Sequence, residues 1–129
     1  MNKIIVEVSI GELLDKISIL EIKLEKIKDS EKLKFISNEY SILNDQLNNN
    51  VTTDDKLNEH FKSLKEINTK LWVIEDEKRL CEKEKDFGEN FIKLSRDVHF
   101  LNDDRAKIKL EINNYTGSVI KEIKEYTSY

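Results

Sequence analysis

The sequence predicts an all-α protein: antiparallel helical hairpins in a coiled-coil-like four-helix arrangement, with a short N-terminal β-strand. Three observations carry that expectation. Apolar residues recur at steps of three and four, most completely from Asp86 to Tyr115, where Phe87, Phe91, Leu94, Val98, Leu101, Ile108, Ile112 and Tyr115 form one stripe. The chain contains no proline and only three glycines, so few positions interrupt a helix. Charged residues make up 37% and hydrophobic residues 38%, the balance of long amphipathic helices. At 129 residues a single helical domain spanning 1–129 is expected.

Residues 3–8, Lys-Ile-Ile-Val-Glu-Val, are short and β-branched and read as a strand. A strand needs a partner, and three remain open: the C-terminal segment, a second subunit, or the helices themselves. Helix 1 is predicted over 10–28. Ser9-Ile10-Gly11-Glu12 reads as a capping box, and Ile10, Leu13, Ile17, Leu20, Leu24 and Ile27 continue the seam. Leu14, Ile19 and Ile22 lie off that seam, which makes this the inner helix, touched by at least two others. Asp29-Ser30 interrupts the pattern, with Ser30 as the expected cap of helix 2 over 31–47. Its stripe is Leu33, Ile36, Tyr40, Leu43 and Leu47, with Phe35 and Ile42 as a weaker edge.

The Asn-rich stretch 48–53 is the expected loop. Helix 3 follows over 54–85, with a seam through Leu57, His60/Phe61, Leu64, Ile67, Leu71, Ile74, Lys78 and Cys81. Asp86-Phe87-Gly88 makes a tight turn into helix 4 over 88–115, and Gly117 stops that helix. Helices 3 and 4 are each about 45 Å long at 1.5 Å per residue and should lie antiparallel. The tail, 118–129, fits a strand or a helical turn equally well through Ile120, Ile123 and Tyr126.

Several function classes lose support at this level. A net charge of −4 argues against a nucleic-acid binder, which needs a basic face. No run of about 20 apolar residues exists to cross a membrane, and the N-terminus lacks a signal-peptide cleavage pattern. A cytoplasmic location is the resulting expectation. Cys81 stands alone, which leaves no internal disulfide and suits a small core residue. His60 and His99 have no ligand-spaced neighbours, so no metal is expected, and without a Gly-rich phosphate loop no cofactor is expected either. Asp86-Phe87-Gly88 matches the kinase metal-binding letters without the other kinase motifs.

The informative position is Arg105, which interrupts the stripe where Leu or Ile belongs. A guanidinium there needs a carboxylate, a phosphate or a carbonyl. Counting from the turn places it opposite about Lys70, near Glu66 or an acid of helix 1. One reading is an ion pair that fixes register; the other is an anion clamp. Asn102-Asp103-Asp104-Arg105-Ala106-Lys107 concentrates acceptors and cations around it, with Asp104 the candidate acid. Lys16 is the candidate second cation, beside the Ile17 seam of a mostly apolar helix 1, and Lys78 interrupts the helix 3 seam in the same way. Lysine outnumbers arginine 19 to 3, so Arg96, like Arg79 and Arg105, is a residue retained for its geometry. Lys16, Arg96, Asp104 and Arg105 are therefore the candidate ligand-binding set.

The opening stretch from Ser9 to Lys23 (SIGELLDKISILEIK) is joined by Leu71-Trp72 with Glu75, Asp86-Phe87-Gly88-Glu89, and Asn102 with Arg105-Ala-Lys-Ile-Lys109. Together these resemble a family of short helical bacterial and phage proteins of unknown function, over nearly the whole chain. The resemblance implies no activity, cofactor or catalytic residue. The expected function is a small, non-catalytic helical interaction or assembly protein, a homodimer or bound to another protein. The alternative is an enzyme or sensor that binds a phosphate, sugar nucleotide or dicarboxylate between helices 1, 3 and 4.

Overall fold

A computed structural model describes residues 2–129. Four helices account for the fold: α1 (Ile10–Lys26), α2 (Ser30–Asn50), α3 (Asp55–Glu84) and α4 (Glu89–Thr116). The protein is all-α. The predicted N-terminal strand is absent: residues 3–8 have no regular structure, and neither does the tail from 119 on. A strand forms only when a neighbour completes its hydrogen-bond ladder, and among the described residues no segment does so. Ile4, Ile5 and Val6 are consequently 89%, 81% and 69% exposed.

The helix ends follow local chemistry. Ser9 caps α1 by accepting a hydrogen bond from the Glu12 N–H at 3.0 Å. The other half of the expected box does not form, because the Glu12 carboxylate turns to Lys109 instead. α1 ends at Lys26, two residues before its predicted end. Asp29 rather than Ser30 caps α2; its carboxylate accepts from Glu31 N at 3.0 Å and Lys32 N at 3.1 Å. α2 then runs through the first three residues of the predicted loop. The Asn50 amide donates back to Gln46 O at 2.8 Å, so the asparagines extend the helix rather than break it. At the tip of the next hairpin Lys85 adopts the left-handed conformation, and the Asp86 carboxylate accepts from Gly88 N at 3.1 Å. Gly117, at φ 67°, ends α4 as expected.

α1 is the inner helix and packs on all three others. The main core gathers Leu13, Leu14 and Ile17 of α1 with Leu47, Leu57, Leu64 and Ile112. α2 rests on α1 through Tyr40 and Leu43, and the Tyr40 hydroxyl donates to Glu21 at 3.2 Å. Lys65 of α3 reaches Glu21 at 3.0 Å and Glu25 at 2.7 Å on the same helix. α4 returns along α3, bringing Asn90 back beside Cys81 and Tyr115 back to Asp54. α1 runs antiparallel to α4, so Gly11 meets Asn113, Glu12 meets Lys109 and Asp15 meets Arg105. Gly11 permits this approach: a Cβ there would stand 2.5 Å from the Lys109 carbonyl oxygen.

Candidate functional site

The polar residues that matter lie between α1, α3 and α4, inside the packing. Asp15 is 1% exposed and Ser18, one turn later, is fully buried. Both face Asn68, whose Nδ2 donates to Asp15 Oδ1 at 2.9 Å and to Ser18 Oγ at 2.8 Å. Ser18 in turn donates to the Asp15 carbonyl at 2.7 Å. From α4, Arg105 Nε donates to Asp15 Oδ1 at 2.9 Å while Nη2 bonds Oδ2, a bidentate pairing. Arg105 thus takes a carboxylate, and of the two positions expected for it, Glu66 or an acid of helix 1, the partner is the acid of α1. Neither Glu66 nor Lys70 shares in it; both are exposed, and the residue level with Arg105 on α3 is Asn68.

One turn along α4 a second layer forms. Lys109 is 6% exposed, and its ammonium donates to Glu12 at 2.6 Å and to Glu122 of the tail at 2.9 Å. One further turn on, Asn113 Oδ1 accepts from Gly11 N at 2.7 Å, and Ser118 Oγ accepts from Ile10 N at 3.2 Å. Three free N–H groups of the first turn of α1 are therefore satisfied by Ser9, Asn113 and Ser118.

The electrostatics follow the contacts. Burial alone would raise the Asp15 pKa; the hydrogen bonds from Arg105 and Asn68 and the charges of Arg105 and Lys109 outweigh it and hold it below the ordinary aspartate value. The Asp15 hydrogen bonds keep Arg105 charged. Burial disfavours the Lys109 ammonium, but Glu12 and Glu122 overcome that and raise its pKa. Asp15 is thereby an ionised, occupied acceptor, unsuited to taking a proton from a substrate.

Of the four candidate residues, only Arg105 joins this network. Lys16 extends into solvent, 3.9 Å from Glu12. Arg96 lies exposed over the Phe100 ring at 5.8 Å, and Asp104 is exposed with no ion pair among the described residues. Two open depressions mark the surface, one between α4 and the tail at His99 and Tyr126, the other along α3 and α4 at Val73 and Phe100. Neither is lined by any of the four. Among the described residues no three His, Cys, Asp or Glu side chains gather as a metal site. The sequence reading passed over Ser18, Asn68, Lys109, Asn113, Ser118 and Glu122. A signal was present for some: Arg105, Lys109 and Asn113 stand at steps of four on one stripe of α4, and Asn68 lies four residues after Leu64 and three before Leu71.

The fold and this network define a small all-α protein held together by a buried, internally paired polar stripe. The chain belongs to a family of unknown function (DUF6165), which matches residues 4–129. No curated protein and no solved structure matches it. No helix is long and apolar enough to cross a membrane among the described residues.

Proposed function

We propose that this protein is a small cytoplasmic helical interaction or assembly module without catalytic activity, and that it associates with a second copy of itself. The observation that carries this reading is the apolar N-terminal segment. Ile4, Ile5 and Val6 are β-branched, lie next to one another and are covered by nothing in their own chain. A segment of that composition gains most by pairing with its equivalent in a symmetric dimer, where each strand supplies the ladder the other lacks. The internal use of Arg105 supports the same reading. Its Nε and Nη2 are committed to Asp15, so an incoming anion would have to displace a buried carboxylate.

The alternative, an enzyme or sensor for a phosphate, sugar nucleotide or dicarboxylate, is favoured by the placement of two shielded cations, Arg105 and Lys109, on one stripe of α4. One pair of measurements separates the two. Sedimentation velocity over a wide concentration range should show the wild type self-associating, and the triple variant Ile4→Ser, Ile5→Ser, Val6→Ser remaining monomeric and folded, with the melting temperature of wild type diluted to monomer. A wild type that is monomeric throughout, and is stabilised by one anion class in a thermal-shift screen through Arg105, would overturn the assembly reading in favour of the alternative.

A further inference from the structure

The segment after α4 is held to the body by polar contacts at a few points and, at its end, by the Tyr129 ring on α4, while its aliphatic side chains contribute little. Gly117 turns the chain, Ser118 is buried against Ile10 N, and Glu122 reaches Lys109. Between these points Val119 is 98% exposed, and beyond them Ile123 and Tyr126 stand in solvent, while Tyr129 returns to α4 with its ring edge-on to His99 and Phe100 and its hydroxyl on Asp103. A strap of this kind is anchored by what its polar groups bind.

Glu122 binds a shielded cation of α4. The Lys109 ammonium is its cation on the body at 2.9 Å, and Lys124 of the strap itself lies 3.5 Å away; the N–H groups of the first turn of α1 nearby are already taken by Ser9, Asn113 and Ser118. A separate observation points to an acceptor that is missing there. Asn113 is 1% exposed, its Oδ1 holds Gly11 N in that first turn, and its Nδ2 has no hydrogen-bond partner among the described residues. A buried amide donor without an acceptor, next to a shielded ammonium, is an arrangement suited to an anion.

We propose that Lys109, with the unpartnered Asn113 amide one turn further along α4, forms a carboxylate-binding site, which the chain's own Glu122 occupies through Lys109 and which a carboxylate from another molecule enters by displacing the strap. The charge balance selects the class of ligand. Two cations, Arg105 and Lys109, already face two acids, Asp15 and Glu12. Glu122 is a third acid beside these two cations, so a monoanion replaces its charge like for like, whereas a phosphate dianion adds a further negative charge beside Glu12. The site is separate from the Ile4–Val6 segment, so its test is independent of self-association.

The test is chemical rescue in the full-length chain. Glu122→Ala, at a half-exposed position, vacates the site with little other disturbance. Its melting temperature is followed against acetate, phosphate and chloride at constant ionic strength, and against a synthetic peptide of residues 118–129 with a Glu122→Gln peptide as control. Acetate should raise the melting temperature of Glu122→Ala saturably by several degrees beyond chloride, leave the wild type unmoved at the same concentrations, and outperform phosphate. The response should vanish in the Glu122→Ala/Lys109→Met double variant. Rescue by the peptide but not by acetate assigns the site to the acidic side chain of a protein segment; rescue by acetate as well extends it to free carboxylates. If neither stabilises Glu122→Ala beyond chloride, or both do so equally without Lys109, the site does not exist. Should Lys109→Met fail to fold, the contrast between acetate and chloride on Glu122→Ala alone decides.

Discussion

Arg105 illustrates how a buried charge couples three helices through one carboxylate. Its partner, Asp15, is shielded from water, so removing either charge alone leaves the other stranded. Arg105→Leu should therefore lower the unfolding free energy by about 3 kcal/mol, the low end for a broken buried pair because the arginine is part-exposed. The double variant Asp15→Leu/Arg105→Leu should recover most of that loss, since both charges are gone together; urea unfolding of the four species completes the cycle. The pH dependence has a definite sign. Asp15 has a folded pKa below its ordinary value of 3.8, so its stabilisation is complete above that value and is lost as pH falls through the folded pKa. The unfolding free-energy gap between wild type and Asp15→Asn should be flat from neutral pH to about 4 and shrink below it. The anomaly at Arg105 is visible in the sequence, because a cation interrupts an apolar stripe. Its partner is not visible there, because Asp15 lies 90 residues away and neighbours several other acids along the chain.

Individual helices end where local chemistry ends them, and two glycines set limits on how they do so. Gly11 lies inside α1, where alanine favours a helix by up to about 1 kcal/mol. Yet Gly11→Ala should destabilise, by about 1–3 kcal/mol, because its Cβ would press on the Lys109 carbonyl of α4 and force the helices apart. Gly117 tests the opposite case. A Cβ there meets nothing, so Gly117→Ala should cost only the left-handed backbone strain, about 1 kcal/mol. Thermal or urea unfolding of both variants checks the pair. The stop at Gly117 and the cap at Ser9 are legible in the sequence since both act within a few residues. The end of α2 was misplaced because Asn50 can bond back to Gln46 as readily as it can form a turn. The N-terminal strand was a fair reading of β-branched composition, but composition does not supply the neighbour that a strand needs.

At the scale of the whole molecule, the body is centred on α1 while both end segments carry apolar side chains into water. Ile4, Ile5 and Val6 at one end are the residues through which association is expected, and the loss of self-association in their triple serine variant is the corresponding prediction. The other end returns to cover Lys109, so the same short distance that ties Ser118 to Ile10 makes the strap part of the core's electrostatics. By itself the sequence determined the helical class, the inner position of helix 1, the turn at Asp86–Gly88 and the special status of Arg105. Each of these is written in periodicity or in residues a few positions apart. Only the tertiary structure decided that Arg105 is spent on Asp15, that Lys16, Arg96 and Asp104 stay apart from it, and that Lys109 and Asn113 meet the start of α1. Those outcomes depend on how three helices are rotated and offset against one another, and a difference of one residue in that register turns a side chain by about 100°.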